Sequence, residues 1–122
     1  MQKLDVHCGL VLLYGFCYFF TMVDLLTTRV GLMLGAVEAN FGGRLLLEAL
    51  GFNGAAAFRF TALGLLIAAS EFLFWRLNKV DASDKLKGET RMMLLGGWLA
   101  VFTVAFFVVL NNLATLGQLG YI

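Results

Sequence analysis

The sequence predicts an all-α polytopic membrane protein, with three transmembrane helices, a long first helix and a short interfacial helix. Three observations carry that expectation. Hydrophobic residues make up 61% of the 122 and charged residues only 14%, whereas soluble domains run near ~45–50% apolar and ~25% charged. Three apolar runs each approach the ~20 residues needed to cross ~30 Å of hydrocarbon. The charged residues outside those runs are concentrated in one polar segment, 76–91. Residues 1–122 are read as a single transmembrane domain. The net charge of +1 offers no basic field to suggest nucleic acid, so the lipid bilayer is the first expected partner.

The first span is expected at about 6–28. Its apolar run begins at Val6 and has no small-x-small cleavage site after it, which marks a signal anchor rather than a removed leader. Cys8 stands at the start of the apolar run, ahead of most of it, whereas a lipoprotein cysteine follows one. Cys8 and Cys17 are nine residues apart and fall on opposite faces of a helix, too far round to form a disulfide. They read as small apolar residues. His7, the only histidine, reads as an interfacial residue at the start of the span.

Positions 7, 10, 14, 17, 21, 24, 28, 31, 35, 38 and 42 alternate in steps of three and four, which is one stripe of a helix. The stripe holds His7, Tyr14, Thr21, Asp24, Thr28, Gly31, Gly35 and Glu38, while the intervening positions are mainly Leu, Val, Phe and Met. One helix from about 5 to 39 follows. At 1.5 Å per residue it would be ~50 Å long, so it must tilt, bend or project beyond the bilayer. Gly31 and Gly35 form a GxxxG that predicts close helix packing.

Residues 24–54 leave a fourth span, a re-entrant segment or an interfacial helix open, because Asp24, Arg29, Glu38 and Arg44 deny any clean window. Gly42, Gly43 and GFNG at 51–54 are turn signals. Between them GRLLLEAL, 43–50, reads as a short interfacial helix, with Leu45, Leu46 and Leu47 toward lipid and Arg44 and Glu48 paired at i,i+4.

The second span is expected at about 55–75 and the third at 92–116. Between them RLNKVDASDKLKGETR, 76–91, reads as a loop. It holds Arg76, Lys79, Lys85, Lys87 and Arg91, five of the nine basic residues. The positive-inside rule places it in the cytoplasm. With three spans the N-terminus is then also cytoplasmic and the C-terminus outside. The expected location is a cell membrane, the inner membrane of a prokaryote. Trp75, Trp98 and Tyr121 read as interface anchors, and Glu71 as an interfacial residue near Arg76 and Trp75.

Counting depth brings the polar groups together. Asp24 lies ~25 Å along the first span, Arg59 ~6 Å into the second from the outer face, and Asn111 and Asn112 ~28 Å along the third. All three helices thus bring their most polar residues to one outer level. Intramembrane charges face the bundle and pair, so Arg59 is expected to meet Asp24, Glu38 or both. Thr27, Thr28, Asn40, Asn111 and Asn112 would supply the remaining hydrogen bonds. An ion pair of this kind can simply fix helix register, or it can bind an ion or ligand.

No HExxH, phosphate-binding glycine loop or G-x-S-x-G is present, and no Cys/His cluster suggests a metal. No catalytic residue, metal or cofactor is therefore expected, and the chain is not read as an enzyme. An aspartate followed by a T-T pair, then G-x-x-E-x-N, a cation opening the next span and N-N late in the last one resemble an uncharacterised family of small three-helix bacterial and archaeal membrane proteins. The matching residues are Asp24, Thr27, Thr28, Gly35, Glu38, Asn40, Arg59, Asn111 and Asn112. Where that family has Pro after the Asn, this chain has Phe41, and Arg59 stands where Lys is commoner. The resemblance implies the three-span architecture and a role for the polar set, but no activity. The expected function is an accessory or assembly subunit of a larger membrane complex, with other subunits or further copies of itself as partners. The alternative is an oligomeric small transporter or channel using the outer Asp/Glu/Arg/Asn cluster.

Overall fold

The computed structural model describes residues 3–33, 41–118 and 120. Three helices account for nearly all of them: α1 (Lys3–Met33), α2 (Phe41–Leu77) and α3 (Asp84–Gln118). Each is long and apolar enough to cross a membrane. The predicted continuation of the first helix to residue 39 lies outside the described residues, as do Gly35, Glu38 and Asn40.

The helices pair end to end in an up-down-up order. His7 near the start of α1 meets Glu71 near the end of α2, while Asp24 far along α1 meets Arg59 early in α2 and Asn112 late in α3. Helices α1 and α3 therefore run parallel, with α2 antiparallel to both. Most of the packing is between α1 and α3, and α2 touches α3 in few places.

The core forms because α1 presents Val6, Leu10, Leu13, Tyr14 and Cys17 on one side, at the i, i+3, i+4 spacing of a helical stripe. They pack against Leu63 and Phe74 of α2 and Trp98 of α3. Phe74 and Leu10 are fully enclosed. Phe20 sits between Phe102 and Phe106, with ring centroids at 5.4 and 5.7 Å, and Phe16 adds a T-shaped contact to Phe102. This aromatic run closes the α1–α3 seam, and such pairs add ~0.5–1.5 kcal/mol each beyond the area they bury. Cys17 is buried and Cys8 exposed, and both are free thiols, as their opposite faces require.

Two boundaries differ from expectation. Gly42 and Gly43 are not a turn; they lie in the first turn of α2. The interruption comes at Gly51, whose φ of 73° and ψ of 176° break the helix into 41–50 and 52–77. Glycine occupies that left-handed φ without the penalty a Cβ brings. Three residues on, a Cβ at Gly54 would stand 2.8 Å from Leu50 Cβ, so the second glycine lets the two halves approach across the break.

The polar segment 76–91 is also only partly a loop. The connection contracts to residues 78–83, and α3 is already helical from Asp84. Hydropathy locates where a helix enters lipid, whereas Lys, Glu and Arg are themselves good helix formers. The true start signal is Ser83, whose Oγ accepts the Leu86 backbone N–H at 3.2 Å. That is an N-cap, and Asp84 in the first turn suits the positive end of the helix dipole.

Candidate functional site

Asp24 is the centre of the predicted polar set. Its position on the inward stripe of α1 buries it, leaving 7% of its side chain exposed. One carboxylate oxygen, Oδ2, pairs with Nη2 of Arg59 from α2. The other, Oδ1, accepts the Asn112 Nδ2 amide of α3 at 2.5 Å and the Thr28 hydroxyl at 3.4 Å. Thr27 Oγ1 donates to the Val23 carbonyl at 2.9 Å and accepts from Asn112 Nδ2 at 3.0 Å. Three helices thus meet on one carboxylate, and each of its oxygens has a charged or amide donor. Burying such a group without these partners would cost several kcal/mol.

The structure brings Asp24, Thr27, Thr28, Arg59 and Asn112 together. Asn111 does not join them. One residue is ~100° of helix rotation, so when Asn112 faces α1 its neighbour faces outward. Asn111 is exposed, and its backbone carbonyl accepts the Thr115 hydroxyl at 3.0 Å. Gly31 of the GxxxG is buried. Arg59 keeps 35% of its side chain exposed, so the ion pair sits at the flank of the bundle rather than at its axis. Outside this cluster, Arg29 lies over the Phe52 ring at 5.3 Å.

A second polar layer lies toward the other end of the bundle. His7 Nε2 contacts Glu71 Oε2 at 3.0 Å, and Trp75 Nε1 donates to the same oxygen at 3.0 Å. The His7 ring stacks on Phe74 with centroids at 5.1 Å. Deeper in, Ser70 Oγ accepts the Trp98 Nε1–H at 2.9 Å and shares a hydrogen bond of 2.7 Å with the Tyr14 hydroxyl. This node again takes one side chain from each helix. Sequence reasoning placed His7 and Glu71 separately at the interface and missed the node altogether. The signal was present: His7 and Tyr14 share the stripe that holds Asp24, and Ser70-Glu71 is the only strongly polar pair in an otherwise apolar run.

His7 and Asp24 are seventeen residues apart, ~26 Å along α1. The two polar layers therefore stand near opposite ends of an apolar slab filled by the core and the Phe16, Phe20, Phe102 and Phe106 rings. Among the described residues no group of three or more His, Cys, Asp or Glu side chains is placed to hold a metal ion. Ser70 Oγ makes its hydrogen bonds with the Tyr14 and Trp98 side chains. Comparison with protein-family models, curated proteins and solved structures finds no match.

Proposed function

We propose that this protein is a small integral membrane protein acting as an accessory or assembly subunit of a larger membrane complex. The observation that supports this reading is how the polar groups are used. Asp24, Arg59 and Asn112 close on one another, and so do Tyr14, Ser70 and Trp98. Each set ties three helices together, which makes a rigid body. The outward surface is left to large apolar side chains such as Leu65, Phe72, Val104 and Phe107, suited to lipid and to the helices of other subunits. In this reading the connection at 78–83 and the N-terminus face the cytoplasm of a prokaryotic inner membrane. The helical stretch 41–50 before Gly51 lies at the outer interface.

The test is gentle extraction from native membranes followed by native mass measurement. Stoichiometric foreign subunits are the expected result. A chain that travels alone or only with copies of itself would refute the accessory reading.

One observation favours the alternative, an oligomeric transporter or channel. Arg59 is half-exposed beside a buried acid, so in a ring of protomers it would face the space between copies. Under that reading Asp24→Asn abolishes ion flux in liposomes while the oligomer survives. Absence of flux from the unmodified protein rejects it.

A further inference from the structure

The clearest unmet hydrogen-bonding demand lies away from the Asp24 cluster, where α2 ends and α3 begins. Arg91 Nη2 donates to Asn78 Oδ1 at 2.7 Å, and the guanidinium lies over the enclosed Phe74 ring at 5.8 Å. These two contacts hold Arg91 and Asn78 as a unit. Yet Arg91 Nε and Asn78 Nδ2 are both shut off from solvent with no acceptor, and they are the only such side-chain atoms among the described residues. Buried N–H groups are nearly always paired, so two orphans on one joined unit call for an oxygen from outside the chain, admitted by a small shift of the side chains that cover them.

Three features say what kind of oxygen. First, the pair stands at the mouth of the α2–α3 seam, the most loosely packed of the three. Second, the surrounding segment is basic. Arg76, Lys79 and Lys85 are exposed and Lys87 is partly so, set against the acids Asp81, Asp84 and Glu89. Third, Val80 and Leu86 stand exposed among these cations, the mixture expected at a hydrocarbon–headgroup boundary.

We propose that this end of the α2–α3 seam retains an anionic phospholipid, its phosphate oxygens accepting from Arg91 and Asn78 and its acyl chains lying along the seam. A zwitterionic headgroup brings its own cation into the positive field and is disfavoured. The proposal rests on the membrane reading of the chain but not on the identity of any partner subunit.

The test uses the purified full chain in phosphatidylcholine nanodiscs doped with phosphatidylglycerol. Native mass spectrometry reads the retained lipid, and thermal unfolding reads the stabilisation. Phosphatidylglycerol is expected to be retained over phosphatidylcholine, with each cation removed lowering retention about fivefold. Arg91→Gln tests the cradle. If that variant fails to fold, the double change Lys79→Gln/Lys85→Gln decides, since both side chains are exposed and hold no helix. Arg29→Gln, at the opposite end of the bundle, is expected to leave retention unchanged. Equal retention of both lipids overturns the proposal, as does loss of selectivity in Arg29→Gln equal to that in the loop variants. Stabilisation reproduced by millimolar inorganic phosphate overturns it too, since the site would then take a free anion. Because the chain is tested without other subunits, failure here leaves the accessory reading untouched, and failure of that reading leaves this site standing.

Discussion

Replacing Arg59 by Leu is the sharpest perturbation of the bundle. Asp24 would stay buried with Asn112 and Thr28 on Oδ1 but with nothing on Oδ2. Removing one partner of a buried pair costs ~3–5 kcal/mol, because the other charge is stranded. Arg59 is 35% exposed, and screening of its outward face lowers the expectation to about 2–4 kcal/mol. Asp24→Leu removes the stranded charge but leaves the Asn112 amide without its carboxylate, a loss of about 1.5–3 kcal/mol. The double variant Asp24→Leu/Arg59→Leu contains neither stranded charge. It is expected to be more stable than the sum of single losses predicts, by about 2 kcal/mol. The assay is reversible unfolding in mixed micelles titrated with dodecyl sulfate, followed by tryptophan fluorescence from Trp75 and Trp98. Additive losses within about 0.5 kcal/mol would refute the direct pair, and an Arg59→Leu protein as stable as the parent would refute the burial argument itself.

Other outcomes follow from the same contacts. Asn112→Leu should destabilise the bundle by about 1.5–3 kcal/mol, since a charged acceptor loses its donor, whereas Asn111→Leu should be neutral in the same titration. Ser70→Ala strands the Trp98 N–H and is expected to cost about 1–3 kcal/mol, with a shift in tryptophan emission that Ser83→Ala does not produce. Ser83→Ala should cost about 1 kcal/mol through the lost N-cap. In folded protein a thiol reagent should label Cys8 readily and Cys17 only on unfolding, as judged by intact mass.

Much of the fold was legible because its periodicity lies in residue types. Leu10, Tyr14, Cys17, Asp24 and Gly31, spaced by four, three, seven and seven on one stripe, are all buried in the folded chain, and a depth count alone brought Asp24 to the level of Arg59 and Asn112. Which of two adjacent amides turned inward was not legible. Asn111 and Asn112 are equivalent in composition, and only the rotation of α3 against α1 chooses between them. The start of α3 was hidden for another reason: Lys85, Lys87 and Glu89 carry charge, which hydropathy reads as loop, while backbone preference and the Ser83 cap make them helix. The node of Tyr14, Ser70 and Trp98 was missed because each residue alone is ordinary in a membrane helix. It becomes a site only when three helices converge.

The three-helix closure on Asp24 also has a consequence for biogenesis. Translation delivers the carboxylate first, its guanidinium partner thirty-five residues later, and the Asn112 amide fifty-three residues after that. An unpaired aspartate at the centre of a membrane span raises the insertion free energy by roughly 2.5–3.5 kcal/mol on the translocon scale, and one nearer the end of the span, as Asp24 is, raises it by less. In a membrane, the first segment would be held less firmly until the second supplies Arg59. A chain cut short before Asn112 would keep its acid paired with Arg59 but without the α3 amide, a product distinguishable from the closed three-helix bundle.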